Sequence, residues 1–507
     1  MSSVSDSNVP PLRLRAVNDA PVQSDGAYVL YWMIAARRAQ SNYGLDRAIE
    51  WANELGRPLV VFEPLRVGYQ WASDRFHQFV IEGMADNQAA LKGSPAHYYP
   101  YVEPRAGAGK GLLDALASRS CVVVTDDPSA YFLPRMIEAA GKGLLALGSP
   151  VKLEAVDSNG ILPTRAPDKV FARAYDFRRY LQREVRPYLS LAPDSRPFDS
   201  LAGRGSDATE GVISQDVLKQ WPPADPSELL ASGGLDALPI DHDVPPVPYR
   251  GGAVAGKETL HRFVSNGLDR YGDRNQPELD VASGLSPYLH FGHVSSHEVL
   301  QAVADHEEWK PNHVAATTDG GRSGWWGMSK AAEGFMDQLV TWRELGHNFC
   351  SRRSDYSEFE SLPEWARDTL SDHARDARDH VYTLEEFESA RTHDELWNAA
   401  QNQLRQEGRI HNYLRMLWGK KILHWSRSPR EALEIMIELN DKYAVDGRDP
   451  NSYSGIMWTL GRYDRPWGPE REIFGKIRYM TSASTRRKLR VTGYIERWNS
   501  QQASLGV

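Results

Sequence analysis

Cysteine is nearly absent: the 507 residues hold two, Cys121 and Cys350. One pair cannot build a disulfide framework and its spacing is not that of a metal site, so a reducing cytoplasm is the expected compartment and no metal is expected. No apolar run reaches the roughly 18 residues of a membrane-crossing helix, and the opening "MSSVSDSNVPPLRLRAVNDAPVQSDG" lacks the apolar core of a signal peptide. Net positive charge is missing too. The formal total of −8 argues against indiscriminate nucleic-acid binding. Phosphate fingerprints are likewise absent: "GAGKG" at Gly107 to Gly111 lacks the G-x-x-x-x-G-K-[ST] spacing and reads as a turn into a helix, and no nicotinamide motif appears. "DHD" at Asp241 to Asp243 has no second ligand cluster and reads as a solvated turn.

The composition that remains, 41% hydrophobic and 25% charged, is that of an ordinary globular protein, and the length favours two domains. Residues 1–25 read as a disordered leader. Short apolar runs then alternate with helical patterns: "YVLYWMI" (Tyr28 to Ile34), "PLVVFEPL" (Pro58 to Leu65), "HYYPYVE" (His97 to Glu103), "CVVVTDD" (Cys121 to Asp127) and "VKLEAVD" (Val151 to Asp157). This predicts an α/β domain over 26–165 with a doubly wound, mainly parallel, Rossmann-like sheet. Pro, Gly, Ser and Asp dominate 166–250, expected to be a long linker with short helices, one of them Arg173 to Leu189. From 251 to 507 the patterns are helical throughout, which predicts an all-α second domain.

The richest segment is "GRIHNYLRMLWGKKILHW", Gly408 to Trp425. Ile410, Leu414, Leu417, Trp418, Ile422 and Trp425 recur at helical spacing, with Met416 and Leu423 on the opposite side, so the helix is largely buried. Trp418 and Trp425 lie two turns apart, roughly 10.5 Å along one face. They serve either as core filler or as stepping stones for an electron. A buried Arg415 requires a partner, and Asp446 or Asp449 is the natural one. Between Arg462 and Arg490 nine Lys/Arg face three Asp/Glu, a net of +6. A solvated tail would look the same, but the interleaved Tyr463, Trp467, Phe474 and Tyr479 favour a nucleic-acid surface. "SGLSPYLH", near Ser283, places Pro at a helix start whose backbone N–H groups suit phosphate.

Four motifs in order, "LWNAAQ" (Leu396 to Gln401), "HNYLRMLWGKKIL" (His411 to Leu423), "LNDKYAVDGRDPN" (Leu439 to Asn451) and "EREIFGKIRYM" (Glu470 to Met480), resemble the cryptochrome/photolyase flavoproteins, and among them the class II cyclobutane pyrimidine dimer photolyases. Weaker likeness at "VLYWMIAARRAQSNYGL" extends the resemblance from Tyr28 to about Trp498. The resemblance implies a C-terminal all-α domain around FAD, with Ser283, Gly284, Leu285 and Ser286 at the pyrophosphate and Tyr271 nearby. Arg343, Asn412, Arg415, Asp446 and Asp449 would line the flavin, with Asn440 near its N5. It implies electron transfer through Trp418, Trp397 and Trp425, dimer-receiving walls at Trp342 and Trp458, a contact from Met416, and backbone contact from Arg478. Gln338 departs from the family pattern, which has Glu there.

The implied partner is UV-damaged DNA, acted on by a monomer with no membrane association. An antenna chromophore, deazaflavin or folate, is at most a passenger of the first domain. Two functions stay open: a light-driven DNA-repair lyase and a blue-light receptor on the same fold. The short stretch after Tyr494 favours the lyase.

Overall fold

The computed structural model describes residues 7–201 and 211–500. Two compact units interleave along the chain: Met1–Asp168, Val185–His261 and Leu285–Ala302 form one, and Lys169–Glu184, Arg262–Gly284 and Val303–Val507 the other.

The first unit is built on six strands: β1 (Leu14–Ala16), β2 (Tyr28–Trp32), β3 (Leu59–Leu65), β4 (Ala96–Val102), β5 (Ser120–Asp126) and β6 (Leu153–Val156). Their order is β1-β6-β5-β2-β3-β4, parallel except for β1, which runs antiparallel to β6. The chain winds outward in one direction from β2 and then in the other, the doubly wound topology expected from the alternating pattern. Every residue of β2 and β5 is buried, because helices cover both faces of a parallel sheet. Val29, Tyr31, Val122 and Val124 pack on one side against the helix Tyr43–Leu55, while Leu30, Trp32 and Val123 pack on the other against the helices Leu112–Ala117 and Leu133–Leu145.

At the carboxyl end of β2, where such sheets commonly offer backbone N–H groups to a ligand, the protein's own Asp126 fills the turn. Its Oδ2 accepts from the amides of Ile34, Ala35 and Ala36 at 2.8, 2.7 and 3.0 Å, and its Oδ1 from the Tyr31 hydroxyl at 2.7 Å. The "GAGKG" segment is a turn ending at Gly111, whose φ of 88° caps the helix Leu112–Ala117.

Two boundaries differ from the sequence reading. The leader is ordered from residue 7, and its first six residues lie outside the description. The cause is Arg13, fully buried, whose guanidinium donates to the carbonyls of Asp157, Gly160 and Ile161 and so pins β1 to the sheet edge. The segment 166–250 is not one linker: the helix Ala174–Glu184 belongs to the second unit, and Val185 onward to the first. The first unit also keeps the start of the helix Gly252–Asn266, because the Glu82 and Asp86 carboxylates accept the N–H groups of Gly251 and Val254.

All described strands lie in the first unit; the second is helical. No helix among the described residues is long and apolar enough to cross a membrane. Two glycines set the close crossings of the second unit. A Cβ on Gly346 would meet the Asn451 backbone at 2.9 Å, and one on Gly419 would meet Thr459 at 2.8 Å. The helices Arg343–Arg352 and Asn412–Trp425 therefore both lie tightly against the helix Pro450–Thr459.

Candidate active site

The helix Asn412–Trp425 buries Leu414, Leu417, Trp418, Lys420, Ile422 and Trp425, as its periodicity requires. Trp397, on the helix Glu395–Glu407, is fully buried beside it. The Trp397 indole N–H donates to the Trp418 carbonyl at 3.0 Å, and its ring lies 6.1 Å from that of Trp425 at 71°. The Trp418 indole donates to Gln401 at 2.9 Å. Trp397 thus touches the backbone of Trp418 and the ring of Trp425. Beyond Trp425 stand Tyr382 and His393, 5.7 and 4.9 Å from its ring, and Lys421 caps one face at 4.8 Å.

Arg415 reaches Asp446, Nη2 to Oδ2, at 3.5 Å, with the arginine 30% and the aspartate 11% exposed. The other Asp446 oxygen is buried without a hydrogen-bond donor. A ligand N–H is what such an atom lacks, since an unpaired buried acceptor costs about 1–3 kcal/mol. Asp449 caps the helix Pro450–Thr459, accepting from Asn451 N at 2.8 Å. Asn440 is buried, and its amide nitrogen donates to Asp441 Oδ1 at 2.9 Å and Ser452 Oγ at 2.7 Å. Asp441 also accepts from the Tyr453 hydroxyl and the Arg448 amide, while burial raises its pKa. Asn440 is therefore held with its carbonyl oxygen as the remaining polar face. Of the other residues expected to line the flavin or the substrate, Asn412 is exposed in the first turn of its helix, and Arg343 and Met416 are half-buried.

Trp342 and Trp458 stack on each other, centroids 4.5 Å apart and 15° from parallel, and both are half-buried. Gln338 is half-buried nearby in sequence, and among the described residues its side chain makes no hydrogen bond. Lys420 is wholly buried and donates to the Thr459 carbonyl; burial pushes its pKa down to about 7. In the basic segment, Trp467 is 37% exposed between the guanidiniums of Arg465 and Arg478, at 5.1 and 5.4 Å, and Arg471 covers Tyr479 at 5.0 Å. Tyr463 and Phe474 differ from expectation: both are buried, at 9% and 1% exposure, because the segment folds back on the helix Glu364–Asp372. The expected nucleic-acid surface thus keeps two of its four aromatics.

Tyr271 is a core residue, packed on Phe263 and Phe335 beneath Arg274, its hydroxyl pKa raised to about 12 by burial. Ser283 and Gly284 belong to the second unit, Leu285 and Ser286 to the first, and a short helix starts at Ser286 with Pro287 in its first turn.

Over 96% of its length the chain is 34% identical to the deoxyribodipyrimidine photo-lyase of Methanothermobacter thermautotrophicus, covering 97% of that protein. The chain belongs to the deoxyribodipyrimidine photo-lyase family. Its fold matches solved members of the wider photolyase/cryptochrome group: a class III photolyase from Agrobacterium tumefaciens (TM-score 0.67, 16% identity, 93% of this chain and 86% of that one) and a cryptochrome from Synechocystis sp. PCC6803 (TM-score 0.68, 14% identity, 93% and 88%). At those identities the likeness concerns fold alone. No family model matches the sequence.

For a photo-lyase, the donor set fits a flavin: an ion pair with one unsatisfied carboxylate oxygen, an oriented amide, and neighbouring indoles. Sequence reading missed Gln401, Asp441 and Ser452, which orient Trp418 and Asn440. All three sit within or beside the quoted motifs, but the helices of Gln401 and Asp441 carry many other polar residues, so sequence offered no signal that set them apart.

Proposed function

We propose that this chain repairs ultraviolet-damaged DNA by splitting cyclobutane pyrimidine dimers with light, using FAD held by its helical unit. The observation that carries the reading is that one helical unit holds both three buried tryptophans, with Trp397 touching Trp418 and Trp425, and a stacked pair of half-buried ones, in a chain similar over nearly its whole length to a photo-lyase.

Bound there, reduced FAD would supply the chemistry, lending one electron to the dimer under light and recovering it once the cyclobutane ring has opened. The residues position and protect it. Asp446 would accept from a ring N–H while Arg415 offsets its charge. Asn440, with both amide hydrogens engaged, accepts rather than donates, which suits a ring nitrogen carrying a proton. Trp418, Trp397 and Trp425 relay electrons inward, each oxidised indole being refilled by the next one out. Lys421 over Trp425 disfavours a lasting positive charge there.

A dimer has to leave the duplex to meet a buried site, and damaged, poorly stacked bases leave cheaply. Trp342 and Trp458 present an indole surface for it, and Met416 adds a polarizable contact. Arg465, Trp467 and Arg478 hold the flanking backbone, so binding weakens with salt. Dimers in UV-irradiated DNA should vanish under blue light with the protein present and persist in the dark.

One observation favours a second reading. Gln338 stands where the resembled family has a carboxylic acid, and an amide cannot share its proton with a substrate radical. A blue-light receptor with little repair activity would tolerate that.

A further inference from the structure

The helical run through Lys330–Met336 and Arg343–Arg352 is interrupted by a π turn at Asp337–Trp342. In an α-helix, residues five apart point about 140° from each other. The wider i→i+5 turn brings them toward one face, and such turns recur at functional sites. Here it sets Asp337 beneath Trp342: the indole N–H donates to Asp337 Oδ2 at 3.2 Å.

Asp337 is itself gripped. Arg178, from the helix Ala174–Glu184, donates Nε to Oδ1 at 2.7 Å and Nη2 to Oδ2 at 3.1 Å, with the two side chains 5% and 10% exposed. Arg178 is tied in turn to the Gly320 carbonyl at 3.3 Å, and Gln182, one turn on, brackets the same loop through Gly320 N and Gly321 O. A bidentate arginine–carboxylate pair is among the geometrically strictest polar contacts a protein makes.

We propose that Asp337, locked by Arg178, is the positioning residue of the Trp342 indole, fixing the plane on which an extruded base stacks. This rests on Trp342 acting as a dimer-receiving wall. A fixed ring spares the ordering cost that a free one would add on binding. The pairing also accounts for the π turn, since a regular helix would carry the carboxylate away from the indole.

The test is a double-mutant cycle on affinity for dimer-containing duplex, with Asp337→Asn, Trp342→Phe and both, in the full-length flavoprotein. The Trp342→Phe variant keeps an aromatic face but has no N–H there. Loss of the clamp should weaken binding roughly 3- to 10-fold when Trp342 is present, the range of one ordered side chain, and by nothing further in the Trp342→Phe background. The Trp342 Nε1–H resonance of 15N-labelled protein, identified by its loss in Trp342→Phe, should shift in Asp337→Asn. Equal penalties in both backgrounds, or an unmoved resonance, overturn the proposal. Should Asp337→Asn leave Arg178 uncompensated and fail to fold, Arg178→Met with Asp337→Leu removes both charges together and gives the same two readouts. If Trp342→Ala leaves damage discrimination intact, the wall reading falls, while a shifted resonance still upholds the clamp.

Discussion

Gln338 is the residue on which chemistry and family pattern part. It follows Asp337, whose two oxygens are already taken by Arg178 and Trp342, so that neighbouring carboxylate cannot stand in as the acid. A Gln amide donates a hydrogen bond to a pyrimidine carbonyl but gives up no proton readily. Gln338→Glu should therefore raise the number of dimers split per photon while leaving DNA affinity nearly unchanged; an unchanged yield would mean position 338 does not reach the substrate. Trp418 carries the other residue-scale expectation. Its indole is 2% exposed and oriented by Gln401, and Trp397 connects it to Trp425. Trp418→Phe should abolish light-driven reduction of the oxidised flavin with the flavin still bound. Unaltered kinetics would reduce these indoles to packing.

At the scale of elements, the segment from Gly461 to Met480 is anchored by a few groups on and after the helix Glu364–Asp372. His373 lies between Asp376 at 2.5 Å and Glu470 at 3.3 Å, Asp376 also accepts from the Ile473 amide, and Thr369 accepts from the Lys476 amide. The Asp376 hydrogen bond raises the His373 pKa above its ordinary value. A raised folded-state pKa means the clasp is complete below the unfolded value near 6.5 and is lost as pH climbs through the folded one. The protection of amides across 461–480, after correction for the intrinsic base-catalysed exchange rate, should fall as pH climbs above about 6.5 in the wild type, and His373→Gln should remove most of that fall. The elements themselves were unequally legible. β2, β3, β5 and β6 announce themselves as apolar runs, because both faces of a parallel sheet are covered. β1 does not, since three residues held by a distant arginine leave no periodic trace. Nor does the π turn, across which Asp337 meets both the Trp342 indole and an arginine 159 positions away.

For the whole molecule, the −8 total coexists with a locally basic, aromatic surface around Trp467, so the proposed affinity for DNA would be a property of one segment rather than of the net charge. The buried central helix was readable from sequence, and so was the need of Arg415 for an acidic partner, though with Asp446 and Asp449 both open; the contact at 3.5 Å is with Asp446, and Arg415 itself is only half-buried. The partition into two interleaved units was not, because the Ala174–Glu184 and Gly252–Asn266 segments are assigned by contacts far along the chain. What would unite these features is the proposed light-driven dimer splitting, and one measurement reaches it directly. The anaerobic, fully reduced protein is illuminated with an oligonucleotide carrying a single thymine dimer, and restored thymines are counted per absorbed photon. Restoration in the light and none in the dark is the expected result. No restoration by either the wild type or Gln338→Glu, with flavin photoreduction normal in the same preparation, would contradict the lyase and leave a light receptor.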